Sequence, residues 1–203
     1  MQGMIEKRGS IGIIWIDNPP VNAISHAVRE GLIKAVENAS KDSEIKGLVL
    51  ACRGRTFMAG ADITEFASGV KPPWLGEVID TMSESSKVIV AAIFGTTFGG
   101  GLEVALGCNY RIADSNTKIG LPEVKLGIIP GAQGTQRLSR VSSVEFALKL
   151  ATLGNPVGAQ EALEAGAIDK ISNGELIDDA VSYAEELLKL SLIHISEPTR
   201  QAS

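Results

Sequence analysis

The chain reads as an α/β protein. Residues 47–51 and 88–93 are short, wholly apolar runs rich in β-branched side chains, the character of strands buried on both faces. Each is followed by glycine-rich turn chemistry and a segment of helical periodicity, and this alternation is the rhythm of α/β folds. A length of 203 residues suffices to bury one substantial core. No internal repeat, low-complexity tract or composition break marks a second domain.

The elements follow in order. Ile11-Gly12-Ile13-Ile14-Trp15-Ile16 is the opening strand, ended by the turn signal Asp17-Asn18-Pro19-Pro20. Ser25 offers an N-cap to a helix through about Asn38, where Val28, Leu32, Ile33 and Val36 form an apolar stripe between charged residues. The buried run 47–51 comes next. Residues 67–73 are loop chemistry, and a moderately periodic helix follows Trp74. After the buried run 88–93, short helices are expected over 142–153 and 158–165. Residues 174–190 form an amphipathic helix with Leu176, Ile177, Val181, Ala184, Leu187 and Leu188 on its apolar side.

Composition narrows the function classes. Hydrophobic residues at 44% and charged residues at 21% are ordinary for a soluble globular chain. A net charge of −5 argues against nucleic acid as the main partner. No stretch approaches the ~20 apolar residues needed to cross a bilayer, so no membrane partner is expected. The start, Met1-Gln2-Gly3-Met4, lacks a secretory apolar core. Cys52 and Cys108 show no metal-ligand spacing and read as buried, reduced thiols, which suits a cytoplasmic location. No metal site is expected. His26 and His194 are poor catalytic candidates, and no Ser-His-Asp or Cys-His set can be assembled.

The chemistry concentrates in three segments. Phe98-Gly99-Gly100-Gly101-Leu102-Glu103 follows a buried strand and opens a helix. Its bare N–H groups lie at the positive end of a helix dipole and can receive a phosphate, a carboxylate or a developing oxyanion. A tight strand–helix turn that merely needs small residues is the structural alternative. Glu103, in the first helical turn, gains about 0.3–1 kcal/mol from the dipole, so a structural role competes with a chemical one. Twenty positions on, Gly120-Leu121-Pro122-Glu123 sets a carboxylate between apolar neighbours. Such a context raises a carboxyl pKa toward that of a neutral-pH proton donor, and an exposed edge residue is the alternative. Upstream, Phe57-Met58-Ala59-Gly60-Ala61-Asp62 offers small side chains and a helix N-terminus with Asp62 near the cap. Paired carboxylates and exposed amides suggest an enzyme acting on a carbonyl compound.

Taken together and in order, these segments resemble the enoyl-CoA hydratase/isomerase (crotonase) superfamily. The resemblance is carried by Asp17-Asn18-Pro19-Pro20-Val21-Asn22-Ala23, Gly54-Arg55-Thr56-Phe57-Met58-Ala59-Gly60-Ala61-Asp62-Ile63, Gly99-Gly100-Gly101-Leu102-Glu103 and Leu121-Pro122-Glu123-Val124. It continues through Leu126-Gly127-Ile128-Ile129-Pro130-Gly131-Ala132-Gln133-Gly134-Thr135-Gln136-Arg137-Leu138 and is closest to the hydratase part of the multifunctional fatty-acid β-oxidation proteins. It implies a spiral of ββα units, small sheets surrounded by helices. It further implies an oxyanion hole from the N–H groups of Ala61 and Gly100, and two catalytic glutamates, Glu103 and Glu123. Ala59, Gly60, Asp62, Ile63, Gly99, Pro122 and Gly131 would line the acyl-CoA site. The implied reaction is hydration of trans-2-enoyl-CoA to 3-hydroxyacyl-CoA, with no cofactor beyond the coenzyme A of the substrate. Glu103 would activate the water that attacks C3, and Glu123 would protonate C2.

Isomerisation of 3-enoyl-CoA, which can use Glu123 alone, and non-catalytic acyl-CoA binding are the rival readings. The family often carries a basic residue just before the asparagine–alanine pair, where Pro19-Pro20-Val21 stands here. Residues 1–190 are expected to form one catalytic domain that lacks the family's closing helices. A homo-oligomer, or a fused dehydrogenase region in a longer protein, would be the partner. Residues 191–203 resemble translated sequencing-adapter sequence and are expected to be a non-native, poorly ordered tail; a native terminus without structure is the alternative.

Overall fold

The chain begins with β1 (Met4–Arg8), β2 (Ile11–Ile16), α1 (His26–Lys41), β3 (Gly47–Cys52), α2 (Leu75–Ser83), β4 (Val88–Ile93) and β5 (Thr96–Phe98). There follow α3 (Gly100–Gly107), β6 (Tyr110–Ala113), β7 (Lys118–Gly120), a 3-10 turn (Pro122–Leu126), α4 (Gly134–Val141) and α5 (Val144–Leu153). The last elements are β8 (Val157–Gly158), α6 (Ala159–Glu164), β9 (Lys170–Ile171) and α7 (Leu176–Ser196). This computed structural model describes residues 4–65 and 69–196, with side chains through residue 190. The loop expected over 67–73 falls partly outside the described residues.

Two sheets organise these elements. The larger runs β1-β2-β3-β4-β6-β9, antiparallel at β1–β2 and parallel from β2 onward. The smaller, β5-β7-β8, pairs β5 with β7 in parallel and β7 with β8 antiparallel. The architecture is the expected α/β fold of the crotonase type.

The large sheet is covered on both faces, which is why β2, β3 and β4 are apolar along almost their whole length. Ile14, Ile16, Leu48, Leu50, Ile89, Ala91 and Ile93 point one way, into a core shared with Val28, Leu32, Ala35 and Val36 of α1. Their sequence neighbours Ile11, Ile13, Trp15, Val49, Ala51, Val90 and Ala92 point the other way, against Ala180 and Ala184 of α7. Ile177, Val181, Leu187 and Leu188 complete that second layer, as the apolar side read from the sequence requires. The Ser25 hydroxyl accepts from the Val28 N–H at 3.4 Å, the expected cap of α1. Ser143 caps α5 in the same way through the Phe146 N–H at 3.1 Å.

Beside the short strands β5 to β9 and helix α4, which the sequence pattern does not mark, two elements differ from expectation. Strand β1 was not signalled, because its sequence Met-Ile-Glu-Lys-Arg is charged at three of five positions. It forms because it lies at the sheet edge, where charged side chains reach solvent. Helix α7 continues to Ser196, six residues past the expected end at Leu190. No glycine or proline interrupts the sequence between Gly174 and Pro198, so nothing in it stops the helix at 190. Residues 197–203 lie outside the described residues, so the expected tail is described only in its first, helical part.

Candidate active site

The smaller sheet brings the two glutamates together. Strands β5 and β7 run side by side with Phe98 opposite Gly120, and the Gly99 N–H donates to the Gly120 carbonyl at 2.9 Å. Both strands therefore end at the same edge. From that edge β5 passes through Gly99 into α3, which carries Glu103, while β7 passes through Leu121 into the 3-10 turn that carries Glu123.

Glu103 is 3% exposed. Its Oε1 accepts from the N–H groups of Ala132 (2.8 Å) and Gly134 (2.9 Å), which fix the carboxylate against the loop before α4. Burial pushes its pKa up, and these two donors pull part of that shift back. Glu123 is 8% exposed, and its Oε2 is buried without a protein partner. Burial raises its pKa as well; its own amide opposes the shift and the charge of Glu103 adds to it. The sequence reading of Glu123 as a proton-holding carboxyl thus has a physical cause, and the exposed-edge alternative is not what the fold builds.

Two amides line the same cavity as these acids. Gly100 is the first residue of α3, so its N–H is among the four that an α-helix leaves without an internal acceptor. Ala61 forms a parallel bridge with Ile24 in which the Ile24 N–H donates to Gly60 O and Ile24 O accepts from the Asp62 N–H. Both bonds use the neighbours of Ala61, so its own N–H points to the opposite side of the strand. A methyl on Gly100 would lie 3.5 Å from the Ala61 nitrogen, so the two positions are neighbours in the cavity wall. Asp62 caps the next helical turn, its Oδ1 accepting from the Thr64 N–H at 3.0 Å.

All eleven residues named from the sequence, Ala59, Gly60, Ala61, Asp62, Ile63, Gly99, Gly100, Glu103, Pro122, Glu123 and Gly131, line one cavity of about 500 Å³. Its remaining wall was not foreseen. Trp74 and Leu75 come from the start of α2, Leu126 from the end of the 3-10 turn, and Ile128 and Ile129 from the loop after it. An apolar run in a loop was the available signal. Arg29 also reaches the cavity, although it sits in the apolar stripe of α1 and is only 4% exposed. Its guanidinium pairs with Glu65 at 2.9 Å and donates to the carbonyls of Ile24, Lys71 and Pro73, tying the Ala61 segment to the loop before α2. The donors on Glu103 are backbone amides and had no side-chain signal at all.

The enoyl-CoA hydratase/isomerase family model matches residues 6–201. The chain belongs to this family. Among relatives, the family member named peroxisomal bifunctional enzyme from Cavia porcellus is 44% identical over 94% of this chain and 26% of its own length. The probable enoyl-CoA hydratase of Bacillus subtilis (strain 168) is 37% identical over 89% of this chain and 74% of its own. The solved structure of enoyl-CoA hydratase from Mycobacterium tuberculosis H37Rv superposes with a TM-score of 0.84 at 31% identity, covering 90% of this chain and 74% of that one. The chain spans about a quarter of the length of the first bifunctional relatives it matches.

Other sequence expectations fall outside the cavity. Cys52 and Cys108 are buried free thiols, and burial pushes Cys108 up to about 12. The His26 ring Nε2 lies 2.8 Å from the Pro72 carbonyl oxygen, at the start of α1. Among the described residues no group of metal-ligating side chains forms, and no helix is long and apolar enough to cross a membrane.

Proposed function

We propose that this enoyl-CoA hydratase/isomerase family chain hydrates trans-2-enoyl-CoA to 3-hydroxyacyl-CoA, without a cofactor, with residues 1–190 as its catalytic unit. One observation carries the reading: two buried carboxyls with raised pKa values share a cavity with the neighbouring backbone positions Ala61 and Gly100. In this mechanism the thioester oxygen accepts hydrogen bonds from the Ala61 and Gly100 N–H groups, which makes C3 electrophilic. Glu103 takes a proton from water as the water oxygen bonds to C3, and the C2–C3 π pair moves into the thioester as an enolate. Glu123 then gives its proton to C2. The two carboxyls have exchanged protonation states, and a proton passing between them resets the site. A lost amide donor would cost roughly 10²–10³ in rate.

Ala59, Gly60, Asp62, Ile63, Gly99, Pro122 and Gly131 border the acyl thioester in this reading. The unpartnered Oε2 of Glu123 also favours a second activity, isomerisation of 3-enoyl-CoA, because one carboxyl can carry a proton between C4 and C2. The deciding measurement is loss of the conjugated thioester absorbance of crotonyl-CoA. Binding of the thioester with no absorbance change would overturn hydration, and no gain of that absorbance from a 3-enoyl-CoA as well would favour an acyl-CoA-binding module. A reducing compartment of the cytoplasmic kind is proposed from the two buried thiols.

Glu103→Ala should separate the two reactions. Removing the water-activating group is expected to cut hydration by about 10²–10⁴-fold while sparing isomerisation. Equal losses in both, with unchanged circular dichroism, would make Glu103 a structural cap.

The cavity rim leaves Ile63, Trp74, Leu126, Ile128 and Ile129 exposed, Ile129 by 82%. Clustered apolar exposure of this kind favours association. The chain is expected to self-associate in sedimentation experiments, and Ile129→Asp to shift it toward monomer. A wild-type chain that stays monomeric at high concentration would refute the homo-oligomer.

A further inference from the structure

Gln133 occupies a backbone conformation that glycine suits better. Its φ of 73° lies in the left-handed region, which a residue with a Cβ adopts reluctantly. It also stands between Ala132 and Gly134, the two residues whose amides hold Glu103. The peptide that carries the Gly134 N–H begins at Gln133, so rotation at 133 turns that donor away from the carboxylate.

The Gln133 side chain is bracketed at both ends. Its Nε2 donates to Asp80 Oδ1 at 2.8 Å, and its Oε1 accepts from Arg137 Nε at 2.9 Å. Arg137 closes the triangle 3.7 Å from Asp80 Oδ1 and donates to the Ser83 hydroxyl at 3.1 Å. Asp80 and Ser83 belong to α2 and Arg137 to α4, so the cluster ties the two helices across the loop that serves Glu103. None of the three lines the cavity, and any influence on chemistry must pass through that loop.

We infer that Asp80, Gln133 and Arg137 are positioning residues that hold residue 133 in its left-handed conformation and thereby keep the Ala132 and Gly134 amides on Glu103. This rests on the water-activating role proposed for Glu103. The cluster sets where that carboxylate points, and so governs hydration more than any step that needs Glu123 alone.

The test uses the full chain and compares Gln133→Ala with Gln133→Gly. Alanine deletes both hydrogen bonds yet keeps the conformational cost of a Cβ, whereas glycine deletes the bonds and the cost together. Gln133→Ala is expected to lower kcat for crotonyl-CoA hydration by about 10–100-fold, the scale of a small misplacement of a catalytic group, with KM and 3-enoyl-CoA isomerisation little changed. Gln133→Gly should recover most of the loss, and Asp80→Asn, which keeps an acceptor for Gln133, most of what Asp80→Ala loses. Amide hydrogen exchange supplies a readout independent of activity: in Gln133→Ala, Ala132 and Gly134 should exchange at least ~10-fold faster than in the wild type. Unchanged kcat and unchanged exchange in Gln133→Ala would overturn the inference and leave hydration standing. A wild-type chain that does not hydrate would instead remove the proposed role of Glu103, and exchange at 132 and 134 would then decide the positioning claim alone. If Gln133→Ala does not fold, the same exchange comparison in Asp80→Ala decides it.

Discussion

Glu123→Gln is expected to abolish hydration in practical terms, a loss of about 10²–10⁴-fold for removing a general acid, while acyl-CoA binding stays close to that of the wild type. The amide keeps the shape of the side chain and fills the same buried space, but it has no proton to give to C2. Crotonyl-CoA turnover and calorimetric titration with a saturated acyl-CoA measure the two halves of this expectation. Near-wild-type turnover in a folded Glu123→Gln chain would remove Glu123 from the mechanism. The same variant carries a pH signature. Burial holds the Glu123 carboxyl above its ordinary range, so the native state binds a proton that the unfolded chain releases. Its contribution to stability is therefore fully present below the unfolded pKa and is lost as pH rises through the folded one. Glutamine does not titrate, so the Tm of Glu123→Gln should gain on that of the wild type as pH climbs from the carboxylate range to neutrality. A constant Tm difference across that window would show that the buried carboxyl is not strained.

Gly101→Ala should be the most damaging of the small substitutions. A methyl at this position would lie 2.0 Å from the Met58 carbonyl oxygen and 2.7 Å from its carbon. The obstacle is backbone, so no rotamer change relieves it, and Met58 is fully buried with its carbonyl already accepting from the Phe98 N–H. Helix α3 must move away from the Ala59-Gly60-Ala61 segment, at a cost of about 3 kcal/mol or more. For a chain of this length that is a Tm loss on the order of 10 °C. Activity should fall further than stability, because the displaced helix carries Gly100 and Glu103. Gly76→Ala is the control: it sits in the first turn of α2 with no positive φ, nothing lies within 4 Å of the added methyl, and alanine at such a compatible position stabilises by roughly 0.4–1 kcal/mol. Thermal melts of the two variants should move in opposite directions, and a wild-type Tm for Gly101→Ala would contradict the close packing of α3 on Met58.

The three glycines before Glu103 illustrate how much of the site was legible. Their sequence announced a turn into a helix with bare amides, and that turn is what the fold builds. What each glycine is for could not be read. Gly99 has φ 52° and comes within 2.9 Å of Glu123 Oε1 if a methyl is added, whereas Gly101 is there because Met58 passes so close. Arg29 was hidden for a similar reason. A charged residue on an apolar helix face looks like an error of pattern until Glu65 and three loop carbonyls are seen around its guanidinium.

The sequence by itself determined the alternation of buried strands and helices, the capped helix α1, the presence of a helix at α5, the apolar face of α7 and the identity of the paired acids. These are local properties: periodicity, cap chemistry and composition act over a few neighbouring residues, and motif order carries the family. It did not determine the edge strand β1, whose charges mask its period, or the course of α7 beyond Leu190, where tail-like wording concealed an unbroken helical stretch. Only the tertiary structure decided that Glu103 and Glu123 meet. They do so because β5 and β7 pair in parallel and end at one edge, a contact between segments twenty residues apart that neither segment encodes alone. It also decided the protonation tendency of both acids, since a pKa depends on how much water the rest of the fold removes and on which amides, here Ala132 and Gly134, are left pointing at the carboxylate.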